Sequence, residues 1–314
     1  MNRTACAALV LVMAGALASC GEQGADEAAE PTPSASAASP SATPTVDAAS
    51  AATSAEACAS PTISGTDSDD FDLIGTAGDD VIDGGGGSDV IDGGGGDDVI
   101  CGGEGEDLIR GGEGDDTLFG GNDSDTISGD AGDDRVVGGA NLVRSGFEVP
   151  DVLLGGAGDD TIEGAGDGAE ATDAPDVVSF VTAEQGVSID LGALTATGDG
   201  EDTLVEGRWI VRGTKHDDTI IGSAGDDVIF GFGGDDTITT LAGDDIVNDD
   251  ADPEAAPSDA TPGDDTIETG EGDDRVTSVG GRDTLEGGPG ADELEAGPEP
   301  GACGGFEAGP AACR

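Results

Sequence analysis

Aspartate returns at the sixth place of a nine-residue unit fifteen times in this chain: Asp80, Asp89, Asp98, Asp107, Asp116, Asp125, Asp134, Asp160, Asp218, Asp227, Asp236, Asp245, Asp274, Asp283 and Asp292. The eighth place of each unit is Ile, Leu or Val. Carboxylates at a fixed interval, with His216 the single histidine, offer hard oxygen ligands rather than acid and base partners for a nucleophile. The charge balance points the same way. Asp and Glu number 69 against 10 Lys and Arg, a net charge of -59, so the chain repels itself unless something neutralises it. Nucleic acid is excluded as that partner, because its phosphates would add like charge. A hard divalent cation fits, and Ca2+ accepts an irregular shell of carboxylates and carbonyls where Mg2+ demands a smaller octahedral cage.

To bring the carboxylates together, the units must stack. Counted from Gly75, units begin at 75, 84, 93, 102, 111, 120 and 129, again at 155, then at 213, 222, 231 and 240, and finally at 269, 278 and 287. Gly holds the fourth place in thirteen units and the first in twelve, which is expected to supply positive φ for a tight turn over the first six residues. The last three alternate polar, apolar and polar, as in a short strand with one buried side chain. Strand and turn then wind into a flattened spiral of parallel strands with two units per coil. Coils at the strand spacing of about 4.8 Å set the aspartates in rows that repel unless a cation lies between them. Cation binding is then folding free energy.

The unit resembles the glycine-rich nonapeptide GGxGxDxUx of the RTX, or haemolysin-type, calcium-binding repeat family. That resemblance implies an all-β parallel β-roll solenoid holding multiple Ca2+ ions, each between loops on one edge, two units apart. The implied pairs are Asp80 with Asp98, Asp89 with Asp107, Asp98 with Asp116, Asp107 with Asp125 and Asp116 with Asp134. In the second block they are Asp218 with Asp236 and Asp227 with Asp245; Asp160 completes the set. His216 at a glycine place, Thr240 at a first place, and Val279 and Pro289 in the last units are expected to weaken their loops, above all those after 269. Lone His216 is expected to be a surface loop residue.

The repeats fall into a first block at 63–179 and a second at 213–295, joined by a strand-rich connector at 180–212. In the connector Val187 to Leu191 alternates as a strand does, and Trp209 is expected to pack. The interruptions 138–154, 164–179 and 249–268 each end on a restored half unit, such as Asp151-Val152 or Asp176-Val177, and are expected to bulge from an edge. The stretch 65–74 is one residue too long and is expected to contain a bulge.

Ahead of the repeats, Arg3 and an apolar run of 14 residues from Ala5 to Ala18 suit a signal peptide at 1–19. Leu17-Ala18-Ser19-Cys20 is similar to a bacterial lipobox, which would lipidate Cys20 and attach the chain to the outer side of a membrane; cleavage after Ala18 to release a secreted protein is the alternative. Residues 20–62, rich in Ala, Ser, Pro and Thr, read as a disordered tether. In an exported chain Cys58, Cys101, Cys303 and Cys313 suggest disulfides, Cys303 with Cys313 inside a cap at 296–314 and Cys58 with Cys101. The expected function is a non-catalytic structural or adhesive module at the cell surface or outside it, with a cell-surface or glycan partner left open. A polysaccharide-active enzyme using Asp and Glu is the alternative, since carboxylates alone can cleave sugars.

Overall fold

An aliphatic side chain every ninth residue, flanked by polar neighbours, can be buried only if successive units face each other across a thin interior. The computed structural model describes residues 54–140, 149–164, 175–205, 207–249, 261–278, 280–296 and 301–306, within one unit spanning Ala52–Arg314. The expected signal peptide, Cys20 and most of the tether lie outside the described residues. Two sheets form, one of 14 strands and one of 11, and through the repeats the chain alternates between them, strand by strand. Apart from one helical turn, Ser54–Ala57, the described elements are strands.

The register stacks the eighth places directly. In one sheet Ile82 pairs with Ile100, Ile100 with Leu118, and Leu118 with Val136. In the other Leu73 pairs with Ile91, then Ile109, Ile127 and Leu153. Ile82, Ile100, Ile109, Leu118 and Ile127 are fully buried between the sheets. First-block strands such as Val81–Gly86 and Leu108–Glu113 run six residues, beyond the three that the alternation suggested. Glycine pairs at the unit boundary let the backbones continue their ladder, Gly85 opposite Gly103. In the second block, where that pair is broken by Ser223, Phe232 or Thr240, strands such as Thr219–Ile221 keep three.

The connector carries both sheets across. Strands Ser188–Asp190, Thr195–Thr197 and Glu201–Leu204 run antiparallel and insert into the larger sheet between Thr161–Glu163 and Thr219–Ile221. The other sheet passes through Asp176–Ser179 and Trp209–Arg212 to Val228–Phe230 without losing its parallel order. Trp209 is buried in the core, its ring 3.1 Å from where a side chain at Gly164 would begin. The interruptions leave the ladder intact: Val152 follows Thr126, and Thr266 follows Thr237, in ordinary parallel register. The long opening unit places its extra residue between Asp70 and Leu73, leaving Phe71 exposed.

A second, smaller apolar cluster lies on the outer face of the larger sheet. Cys101 and Phe119 point outward there and meet Cys58, which reaches them from the helical turn; Cys58 and Cys101 are joined by a disulfide. At the far end Ala302–Gly304 adds a last strand, setting Cys303 opposite Leu285. Cys303 is disulfide-bonded as well; Cys313 lies outside the described residues.

The stacked column sets a direct test. Ile109→Ala should cost about 2–5 kcal/mol in urea denaturation of the folded roll, whereas Leu108→Ala, at a residue 44% exposed, should stay within about 0.5 kcal/mol.

Candidate metal centre

The turn edges are where the acidic residues converge. Along one edge the Asp80 N–H donates to Asp98 Oδ1 at 2.7 Å, Asp98 to Asp116 at 2.8 Å, Asp116 to Asp134 at 2.8 Å, Asp134 to Asp160 at 2.9 Å and Asp160 to Asp202 at 3.2 Å. Along the other edge the series runs Asp70, Asp89, Asp107, Asp125, Asp151 and Asp176, each N–H donating to the next carboxylate. Two such series continue in the second block, Asp218 to Asp236, Asp265 and Asp283, and Asp227 to Asp245, Asp274 and Asp292. Residues two units apart are therefore neighbours on one edge. A second ladder of opposite sense runs outside the first in the fifth places, where the Asp97 N–H donates to Asp79 Oδ1 and that of Asp115 to Asp97 Oδ1.

Beyond the opening loops of each block, a sixth-place carboxylate thus has one oxygen tied to the preceding coil. The other is commonly left over. Oδ2 of Asp89, Asp98, Asp107, Asp116, Asp125, Asp134, Asp160, Asp236 and Asp274 is buried with no hydrogen-bond partner. A buried anionic oxygen without a partner costs several kcal/mol, so the arrangement asks for a positive charge. The first-place glycine makes room for it: a Cβ at Gly102 would lie 2.3 Å from Asp107 Oδ2 and 2.7 Å from the Gly120 carbonyl oxygen. Positive φ, expected partly at that first place, falls instead at the second and fourth, as at Gly103 (φ 116) and Gly105 (φ 117). The second-place residues Asp130, Phe232 and Leu241 adopt it without being glycine, so coil stacking imposes the turn on side chains that resist it.

Burial, with neighbouring carboxylates adding to it, raises these groups far above the ordinary range. Asp125 and Asp236 are pushed up to about 9, Asp107, Asp134 and Asp160 to about 7, and Asp116, Asp202 and Asp245 to about 6. Backbone N–H donors oppose the rise without cancelling it. Hard oxygens, buried, aligned and short of positive charge, fit Ca2+ well and a soft metal poorly.

Three of the expected ligands differ. Asp80 Oδ2 accepts the Thr76 N–H at 2.7 Å and the Thr76 hydroxyl at 2.8 Å, which together hold its carboxyl below the usual value. The N–H and hydroxyl of Thr214 likewise donate to the Asp218 carboxylate, and those of Ser223 to that of Asp227, although burial still raises both carboxyls above the usual value. Conversely, Asp274, Asp283 and Asp292, in the loops expected to be weak, are buried and joined to the ladders. Where threonine replaces the first glycine, its hydroxyl bonds across the coils, Thr240 to the Thr269 carbonyl at 2.7 Å and Thr269 to that of Gly287 at 2.9 Å. His216 is half-buried in a turn, with its N–H donating to the Thr214 hydroxyl.

Two acidic members escaped the sequence pattern. Asp202 lies in the antiparallel connector, although Asp202-Thr203-Leu204 repeats the order found at Asp116-Thr117-Leu118. Asp249 stands at a first place, where a carboxylate is the least expected side chain. It brings a ligand oxygen within 4.8 Å of those of Asp265 and Asp283, a buried group of three.

The family model described as RTX calcium-binding nonapeptide repeat (4 copies) matches residues 74–109, 110–141, 145–168, 212–247 and 259–294, just over half of the chain. No curated protein matches the chain.

The raised carboxyls fix the pH response of the ion-free chain. Their folded values exceed the unfolded value of about 4, so their stabilising effect is complete below that and lost as pH rises through about 6 to about 9. In excess chelator, β-sheet circular dichroism should grow as pH falls from 9 to 5. A signal that stays flat, or moves the other way, would contradict the burial of these groups.

Proposed function

This chain belongs to the RTX calcium-binding nonapeptide repeat family and is a Ca2+-binding repeat protein; on that premise we propose that it is an exported, non-catalytic module whose roll closes when Ca2+ enters the turn edges. The observation that carries the proposal is the row of buried, unpartnered Oδ2 atoms facing successive coils. In this reading Asp89, Asp98, Asp107, Asp116, Asp125, Asp134 and Asp160 hold ions in the first block, and Asp236 and Asp245 in the second. Asp265, Asp274, Asp283 and Asp292 extend the second series. Bound Ca2+ would supply two positive charges and take six to eight oxygen ligands. The chain's own part is to align carboxylates at the coil spacing, tie one oxygen of each to the coil before, and exclude water from the other.

A structural or adhesive role suits this arrangement better than hydrolysis. The repeated carboxylates are covered by neighbouring coils, where a sugar ring cannot reach them. What remains at the surface is the outer row of fifth-place aspartates, an acidic face suited to a cell-surface partner. Export rests on Arg3, the apolar run after it, and Cys20. Lipidated Cys20 would set the roll on the outer side of the membrane at the end of the tether.

Titration with Ca2+, followed by circular dichroism, should convert an expanded chain into β structure; Mg2+ at the same concentration should not. Asp107→Asn should weaken calcium affinity by at least about ten-fold. Equal compaction in chelator, or in Mg2+ alone, would remove the proposal. Mass spectrometry of the mature N-terminus should find a lipid on Cys20; an unmodified terminus beginning after Ala18 would make the protein secreted instead.

A further inference from the structure

The loops fall into two classes, and their positions follow a rule. In four loops a hydroxyl four residues before the aspartate bonds to its carboxylate: Thr66 to Asp70 at 3.0 Å, Thr76 to Asp80 at 2.8 Å, Thr214 to Asp218 at 2.9 Å and Ser223 to Asp227 at 3.0 Å. In each the backbone N–H of the same Ser or Thr adds a second bond at 2.7 Å. The hydroxyl also accepts the N–H two residues on, closing a small turn, as from Gly78 at 3.3 Å and Gly225 at 3.1 Å. None of the four has positive φ at its second or fourth place. In glycine loops such as those before Asp107 and Asp116 φ is positive at both places and Oδ2 has no such donor.

The four are the first two loops of each block. An ion between coils needs a repeat loop on both sides, and among the described residues these loops have none before them. There Asp80 is met by Thr62, whose hydroxyl reaches Asp80 Oδ1 at 3.0 Å, and Asp218 by the connector, through the Val187 N–H at 2.8 Å. We propose that the second-place hydroxyl decides whether a loop takes an ion, so that Thr66, Thr76, Thr214 and Ser223 make an ion-free starting coil for each block, on which the calcium-dependent coils assemble. Such a coil is a capping repeat that satisfies its own carboxylates. It rests on the calcium reading above and refines it, giving the reason why Asp80, Asp218 and Asp227 stand outside its ligand set.

The experiment is calcium stoichiometry of the full mature chain, by elemental analysis after equilibrium dialysis. Asp80→Asn and Asp227→Asn should retain the wild-type number of ions, whereas Asp98→Asn and Asp245→Asn should each lose at least one. Equal losses in all four variants overturn the proposal. Should Asp80→Asn not fold, hydrogen exchange of the wild-type chain in chelator decides. The amides of Thr76, Thr214 and Ser223 should exchange at least about ten-fold more slowly than those of Asp98, Asp116 and Asp245; equal rates overturn it. A wild-type chain that takes up no Ca2+ would sink the calcium reading and this proposal with it, whereas wild-type uptake with equal losses in the four variants sinks this proposal alone.

Discussion

Like charge held close inside a low-dielectric edge is the constraint from which the rest of this molecule follows. Parallel strands must lie about 4.8 Å apart, and the nine-residue period puts a carboxylate at the same height in every coil. Moving the aspartates outward would relieve them, but their backbone and one oxygen are committed to the ladder that holds each coil to the one before. The repulsion is therefore built into the same hydrogen bonds that give the roll its register. Only protonation or a cation removes it, and the two compete for the same oxygens.

That conflict explains why the interior can be so thin. One aliphatic residue per unit is little to bury, and a large core would be self-sufficient without a ligand. Here Ile82, Ile100 and Leu118 supply alignment more than stability, each capping the next along the column. Where the repeat lapses, the fold spends other means. Trp209 packs its ring in the core beside Gly164, and Thr240 and Thr269 replace a missing glycine with a hydroxyl bridge.

The period, the aspartate rows, the buried column and the pairing of units two apart were all legible in the sequence, because they depend on residue type at fixed spacing. What escaped depends on hydrogen bonds. Glycine at the first place looks like a demand for unusual φ, yet it answers the crowding of Asp107 Oδ2 against Gly102, which only the stacked coils reveal. Asp202 stands 42 residues after Asp160, no multiple of nine, so counting in nines passes over it although its strand runs parallel to Thr161–Glu163. Thr76 and Thr214 resemble harmless replacements until their hydroxyls are seen to reach the aspartates four residues on. Asp249 occupies a glycine place and carries no signal of its own, since its neighbours Asp265 and Asp283 are brought in by a long interruption and a further coil.

The bond between Cys58 and Cys101 changes how the roll meets mechanical load. Tension arriving along the chain from its N-terminal side crosses directly from one sulfur to the other. Residues 59–100, with the strands Ile63–Ser64, Leu73–Ile74, Val81–Gly86 and Val90–Gly95, form a slack covalent loop beside that line. The terminal strands cannot be peeled off one at a time, and the first pulling force is felt by a strand already flanked on both sides.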